Sequence, residues 1–147
     1  MPLLFSYGSN HPAQLTERIG SPKSIAPAVA PGHKRVFRGY SQNWGGGVAS
    51  LAPSTSRPAY GYVAQVTEAQ LREMDLYEGV SVGAYSRRKI KVIKVDPKTG
   101  KQSEVEAVAY IASSREFNKP SRKYLEAVLK TIRTFWDVGG VSDITVE

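Results

Sequence analysis

The chain has 147 residues, of which 41% are hydrophobic and 22% charged, and its 20 lysines and arginines against 13 acidic residues give a net charge of +7. This composition excludes a disordered or collagen-like chain, and the length fits one globular domain spanning residues 1–147. The absence of cysteine excludes disulfides, thiolate zinc sites, iron–sulfur clusters and a cysteine nucleophile.

The N-terminal third is predicted to contain two strands and one helix. Residues 2–7 form an apolar run that suits a buried first strand and ends in turn-prone residues. A helix is expected over residues 12–19, because its first residue is proline and Gly20 suits a helix end. Residues 21–32 are rich in Pro, Ala and Ser and are predicted to be a loop with one short extended piece, followed by a strand at 33–37.

The middle of the chain is predicted to contain two further strands and a second helix. Three consecutive glycines at 45–47 are expected to interrupt any regular element, and strands follow at 48–52 and 59–66. Thr67 has a glutamine three residues later, which is the spacing of a capping box. The helix that it opens must end by Gly79.

The last third is predicted to form a hairpin and a third helix. Residues 85–95 and 105–112 are the longest predicted strands, and the turn residues at 96–100 make them an antiparallel pair. Ser121 is expected to cap an amphipathic helix that ends at Gly139-Gly140. About six strands in mixed order with three helices predict an α+β fold built on a small, curved sheet or barrel.

The densest basic run, residues 87–94, has the alternation of a half-buried strand. Ile90 and Val92 should point to one face, and Lys89 and Lys91 to the other. A solvated basic face is favoured over a nucleic-acid surface, because no recognised binding motif accompanies the charge. Polyanion binding by this face is kept as an alternative.

Three common kinds of site are not supported by the sequence. His11 and His33 are the only histidines, and neither lies at helical ligand spacing from a pair of carboxylates. There is no Gly-x-Ser-x-Gly motif for a serine nucleophile. The glycines at 45–47 lack the Lys-Ser/Thr pair of a phosphate loop and the context of a dinucleotide fingerprint. We therefore expect no metal and no cofactor.

The turn at residues 5–10, Phe-Ser-Tyr-Gly-Ser-Asn, is the first candidate site. Gly8 lets the backbone approach a ligand closely. The N–H groups at the start of the following helix have no intrahelical partner, so they can bind an anion or a developing oxyanion. The structural alternative is that Ser9 or Asn10 simply caps the helix.

Glu78 and Tyr124 are the other two candidates. Glu78 lies between an apolar helix end and Gly79, and burial there would raise its pKa toward useful base strength. The alternative is an exposed glutamate at a helix C-terminus. Tyr124 falls in the first turn of the last helix, where its hydroxyl can reach a ligand or its ring can pack in the core.

Together these segments resemble the gamma-glutamylcyclotransferase family. The match runs nearly the length of the chain in the same order, and the ordered set is far more specific than any one motif. The matching stretches are FSYGSN at 5–10, LTERI at 15–19, WGGGVASL at 44–51, YGYV at 60–63, MDLYEGV at 74–80 with Tyr85 downstream, and PSRKY at 120–124.

The resemblance implies a small mixed β-barrel with flanking helices and the cyclisation of a gamma-glutamyl amino acid or amine to 5-oxoproline, without metal or cofactor. By position, Glu78 would be the general base and Tyr124 a substrate contact. The backbone amides of residues 7–10 would hold the oxyanion. The implied substrate-binding turn consists of Leu4, Phe5, Ser6, Tyr7, Gly8, Ser9 and Asn10.

The partners that follow from this interpretation are few. The expected partner is a small gamma-glutamyl molecule, with no nucleic acid and no membrane. No apolar run approaches the roughly 18 residues that span a bilayer. Residues 1–6 lack the basic residues of a signal peptide, so a cytoplasmic protein is expected. The sequence leaves open a homodimer, the identity of the leaving amine, and a member of the same fold that binds without turnover.

Overall fold

The computed structural model describes residues 1–55 and 57–136, and these ranges contain seven strands, three α-helices and one 3-10 helix. In chain order the elements are β1 (Leu3–Ser6), α1 (Pro12–Ile19), β2 (Ser24–Ala30), β3 (His33–Ser41), β4 (Gly46–Pro53), β5 (Ala59–Gln65), α2 (Glu68–Glu78), the 3-10 helix (Val80–Val82), β6 (Tyr85–Val95), β7 (Gln102–Ala112) and α3 (Arg122–Phe135).

Five strands close a barrel in the order β1-β5-β2-β6-β7, and β3 and β4 form a separate two-stranded sheet. The pairs are antiparallel except where β1 meets β7, a parallel contact at Leu4 and Val108. The predicted α+β class with a small mixed barrel and flanking helices is therefore confirmed.

The predicted helix ends are confirmed at several positions. Thr67 caps α2 in a complete capping box with Gln70, and Gly79 ends the helix in the left-handed conformation, at φ 66°. Ser121 caps α3 by accepting from the backbone N–H of Tyr124. The predicted end of that helix at Gly139-Gly140 lies outside the described residues.

Residues 21–32 are predicted to be a loop with a short extended piece near Ala28; the extended piece is confirmed, but its length is wrong, because β2 occupies residues 24–30 along the whole length of β5. Its alternate alanines, such as Ala28, are buried inside the barrel, where small side chains fit between the strands. Pro27 is tolerated because the pairing of β2 with β6 involves only Ala28 and Val29. This strand explains why there are seven strands and not about six.

The glycines at 45–47 do not all interrupt the chain, since Gly46 and Gly47 are the first residues of β4. A Cβ on Gly47 would lie 2.1 Å from the carbonyl oxygen of Asn118, and one on Gly46 would lie 2.6 Å from that of Lys119. These glycines therefore let the segment leading into α3 cross directly over β4, with the N–H of Gly47 donating to Lys119 O at 3.1 Å. That crossing fixes where α3 begins.

Strand β1 lies between two apolar cores, because its successive side chains point to opposite faces. Leu4 packs with Leu15 of α1 and Leu71 of α2, whereas Phe5 packs with Phe37 and other residues of the barrel and β3–β4. The turn that follows β1 is thus held by buried contacts on both sides.

The basic run in β6 behaves as predicted. Ile90 and Val92 are buried, whereas Lys89 and Lys91 are exposed and lie 3.9 and 3.8 Å from Glu106 and Glu104 on β7. This face therefore carries interleaved charges of both signs. Across residues 1–55 and 57–136, no helix is long and apolar enough to cross a membrane.

Candidate active site

A cavity of about 370 Å³ lies at the end of β1, and the three candidate segments meet in it. All the residues that the sequence singled out line this cavity, including the turn after β1, Glu78 at the end of α2 and Tyr124 at the start of α3. Sequence reasoning did not assign roles to the remaining polar and aromatic lining residues, chiefly Arg18, Tyr40, Asn43, Trp44, Tyr77, Tyr85 and Tyr110.

Glu78 is the last residue of α2, and it is partly buried. Its Oε1 accepts a hydrogen bond from Asn10 Nδ2 at 3.3 Å. Burial raises the pKa of Glu78, and this effect outweighs the opposite influence of the Asn10 hydrogen bond and the Arg18 charge. The result is a carboxylate that is a stronger base than an exposed glutamate.

The helix that carries Glu78 is anchored one turn earlier, at Asp75. Arg87 of β6 donates to both carboxylate oxygens of Asp75, at 2.7 and 2.6 Å, and the Tyr110 hydroxyl donates to Oδ1 at 2.6 Å. The pKa of Asp75 is lowered, mainly by the hydrogen bonds from Arg87. Sequence reasoning missed this network, since Arg87 was counted with the basic face and Asp75 had no predicted partner.

The turn after β1 contains backbone N–H groups without a hydrogen-bond acceptor among the described residues. In the part of the chain that the structure describes, no hydrogen bond is donated by the backbone N–H groups of Gly8, Ser9 or Asn10. The alternative that Ser9 or Asn10 caps α1 is wrong, because His11 does so, its Nδ1 accepting from Ala13 N at 3.2 Å. The free amides therefore remain available to an anionic ligand atom.

A buried arginine from β3 supports this turn from below. Arg35 Nε donates to the carbonyl oxygen of Tyr7 at 2.7 Å, and its Nη2 donates to that of Tyr60 at 2.5 Å. The side chain is only 2% exposed. The sequence placed Arg35 in a strand without a role, because nothing local shows that its long side chain reaches across to another strand.

Tyr124 brings α3 onto the same cavity. Its hydroxyl accepts from Ala49 N at 2.8 Å, and its ring meets the Trp44 ring edge-on at 5.1 Å between centroids. Burial raises the pKa of Tyr124 to about 12, so the hydroxyl stays protonated and can donate at neutral pH. A Cβ on Gly8 would lie 3.3 Å from this hydroxyl, so a side chain there would require the tyrosine to shift by a few tenths of an ångström.

Replacing Tyr124 with phenylalanine is expected to lower the free energy of unfolding by about 1–3 kcal/mol, because the buried N–H of Ala49 loses its acceptor. Thermal denaturation measures the change. The matched control is Tyr40→Phe, since Tyr40 is 66% exposed and should lose almost nothing with its hydroxyl. Equal melting temperatures for the two variants would contradict the expectation.

The described residues contain no group of three or more His, Asp or Glu side chains that could hold a metal ion. The residues that line the cavity instead include one glutamate, one arginine, several tyrosines and the turn of residues 8–10. This set can bind a polar molecule, accept a proton and stabilise a developing negative charge.

A family profile described as gamma-glutamyl cyclotransferase, AIG2-like, matches residues 4–127. The chain belongs to this family. Gamma-glutamylcyclotransferase from Mus musculus is 31% identical over 134 residues, covering 86% of this chain and 67% of its own length. The protein of the same name from Homo sapiens is 29% identical with the same coverage.

The fold comparison agrees with the sequence comparison. A solved structure described as gamma-glutamyl cyclotransferase superposes with a TM-score of 0.79 at 26% identity, covering 90% of this chain and 78% of its own. The gamma-glutamyl cyclotransferase, AIG2-like match extends from the first strand into α3. It therefore includes every segment that lines the cavity.

Proposed function

We propose that the protein cyclises a gamma-glutamyl amino acid to 5-oxoproline and releases the free amino acid. One observation carries the proposal: the partly buried Glu78, whose pKa is raised, lines one cavity with residues 8–10, whose backbone N–H groups donate no hydrogen bond within the described residues. Family membership supports the reaction class. The Tyr-Gly-Ser-Asn form of residues 7–10 resembles the branch of the family that acts on gamma-glutamyl amino acids, and this resemblance favours an amino acid as the leaving group.

The nucleophile comes from the substrate itself. The α-amine and the γ-carbonyl belong to one molecule, so a cavity that holds it in a ring-like conformer supplies the proximity for attack. The amine arrives protonated, and the ionised Glu78 removes a proton from it. Nitrogen then bonds to the γ-carbon, and the carbonyl oxygen becomes an oxyanion.

The oxyanion needs donors that are already in place. The backbone N–H groups of Gly8, Ser9 and Asn10 supply them, and Arg35 keeps their turn in position through the carbonyl oxygen of Tyr7. Loss of one such donor typically costs about 100- to 1000-fold in rate. Glu78 then passes its proton to the leaving nitrogen, the bond from that nitrogen to the γ-carbon breaks, and the carbonyl re-forms. The ring nitrogen gives its second proton to the regenerated Glu78 carboxylate, which leaves a neutral lactam. That proton then passes to the released amino group, so Glu78 ends the cycle ionised.

The pH dependence of this reaction follows from the raised pKa of Glu78. The base works only when ionised, so kcat/KM should increase with pH through the pKa of Glu78. The midpoint should lie above the ordinary glutamate value of about 4.3. An acid limb centred at or below that value, measured with substrate well below KM, would argue against a buried base.

The decisive assay incubates the purified protein with a panel of gamma-glutamyl dipeptides and gamma-glutamylamines and measures 5-oxoproline by chromatography. Formation from the dipeptides, stoichiometric with free amino acid, is the expected result. Saturable binding of the same compounds without product would identify a binding protein of this fold. No binding and no product would refute the proposed substrate class.

A further inference from the structure

Arg18 is a cavity residue for which neither the sequence analysis nor the proposed chemistry has a role. It lies in the last turn of α1, and its guanidinium carbon stands 5.0 Å from the centroid of the Tyr77 ring, in cation–π geometry. Its Nη1 donates to Asn10 Oδ1 at 2.9 Å. The guanidinium is therefore held between an aromatic ring on α2 and the amide of the substrate turn.

The hydrogen bond from Arg18 decides which way the Asn10 amide faces. A guanidinium has only donors, so the amide must present its oxygen to Arg18. Its Nδ2 then faces Glu78, where it donates to Oε1 at 3.3 Å. The backbone of Asn10 is fixed separately, because the Tyr62 hydroxyl donates to its carbonyl oxygen at 2.5 Å.

We propose that Arg18 is a positioning residue, which locks the Asn10 amide so that Glu78 is held by a donor in its ionised, proton-accepting form. If the amide turned over, its oxygen would face Oε1, and two acceptors meet favourably only when the carboxyl group carries a proton. One oxygen of Glu78 is thus committed to Asn10, which leaves Oε2 for the substrate amine. The catalytic consequence rests on the proposed function.

The groups around Glu78 do not titrate in the same pH range, so the titration of Glu78 can be measured separately. The charged or titratable neighbours of Glu78 come from several elements and include four tyrosines. Burial is the largest cause that raises the pKa of each of these four tyrosines above the usual range. They stay neutral in the range where Glu78 titrates, while Asp75 is paired with Arg87. The set comprises Arg18 from α1, Tyr7 from the turn after β1, Asp75 from α2, Tyr85 and Arg87 from β6, Tyr110 from β7 and Tyr124 from α3.

The test is a double-mutant cycle between Arg18→Met and Asn10→Ala. Arg18→Met should lower kcat by about 10- to 100-fold at neutral pH with little change in KM, the range expected for a hydrogen bond that involves a charged group. The acid limb of the pH profile should move upward. In the Asn10→Ala background, Arg18→Met should add little, because its effect passes through the amide.

Two variants serve as controls for Arg18→Met. Arg18→Lys keeps a donor and a positive charge, so it should restore most of kcat and return the acid limb toward the wild-type position. Arg72→Met removes one exposed positive charge elsewhere on α2 and should leave both unchanged. The proposal would be overturned if Arg18→Met lowered kcat as much in the Asn10→Ala background as in wild type. It would also be overturned if Arg18→Met raised KM and left kcat unchanged.

A readout without substrate keeps this proposal separate from the proposed function. Carbon-13 NMR of the Glu78 carboxyl group in substrate-free protein should give a higher pKa in both Arg18→Met and Asn10→Ala than in wild type, with Arg18→Lys close to wild type. If these shifts appear but no dipeptide is cyclised, the positioning role stands and the proposed reaction fails. If Arg18→Met titrates like wild type, the positioning role fails. Should Arg18→Met not fold, an Asn10→Ala protein that titrates like wild type would overturn the proposal equally.

Discussion

Replacing Glu78 with glutamine should abolish turnover while the protein stays folded. Glutamine keeps an oxygen to accept from Asn10 Nδ2 but cannot take a proton from the substrate amine. General-base catalysis typically contributes about 100- to 10,000-fold, so 5-oxoproline formation should fall by at least the lower figure. The measurement is kcat at saturating dipeptide, with Glu73→Gln, an exposed exchange on the same helix, as the control.

The same substitution should not lower stability at neutral pH. Because burial raises the pKa of Glu78 in the folded state, folding binds its proton more tightly, and stability falls as pH rises through that pKa. At pH 7 the ionised carboxylate therefore opposes folding, and Glu78→Gln removes that opposition. Its melting temperature should equal or exceed wild type at pH 7, and the advantage should vanish below about pH 4.

Near-normal 5-oxoproline production by Glu78→Gln would show that another group takes the proton. A large fall in melting temperature at pH 7 would show that the carboxylate is stabilised by contacts stronger than its cost of burial. Either outcome would require a different account of the cavity. Retained dipeptide binding with lost turnover is the result that fits a base.

Replacing Gly47 with alanine should be among the most destabilising single changes in the chain. The new methyl carbon would lie 2.1 Å from the carbonyl oxygen of Asn118 and 2.9 Å from its carbonyl carbon. These are backbone atoms, so the crossing segment must move. Overpacking usually costs 1–3 kcal/mol, and we expect about 3 kcal/mol, or a melting temperature lower by roughly 6–12 °C.

Gly100→Ala is the matched control for that change. Gly100 lies in the hairpin turn at φ 73°, and nothing lies within 4 Å of the Cβ it would gain. The stability that Gly100→Ala loses therefore reports only the cost of placing a side chain on left-handed backbone, about 1 kcal/mol. Activity should also fall in Gly47→Ala, because the displaced segment leads into the turn of α3 that carries Tyr124. Equal losses of stability in the two variants would refute the steric account.

Much of this architecture could be predicted because local signals agree with the fold. Neighbouring residues alone indicate the capping box at Thr67, the end of α2 at Gly79 and the cap at Ser121. The basic strand was predictable from alternation alone, with Ile90 and Val92 inward. Where the chemistry depends on residues close in sequence, a physical argument reaches the right element.

What could not be predicted depends on long-range contacts. The alanine-rich β2 has no strong strand pattern, and it is a strand because the narrow barrel interior has room only for small side chains such as Ala28. The partnership of Arg35 with Tyr7, and of Asp75 with Arg87 and Tyr110, joins residues that no local spacing connects. The resemblance to a known family indicated that Glu78 and the turn lie together, whereas Arg35, Asp75, Arg87 and Tyr110 are recognised as their neighbours only in the folded structure.

The barrel closes at a single parallel contact, between Leu4 and Val108. The residues that line the cavity are therefore held by strands on two sides of this contact. The amide-bearing turn is mounted on β5 through the β1 ladder, whereas α2 with its carboxylate is tied to β6 and β7 through Asp75. Across this seam the two sides are joined by the Tyr7 hydroxyl on Tyr110 O and by Asn10 on Glu78. Any widening of the barrel along that line would therefore change the distance between Glu78 and the turn of residues 8–10.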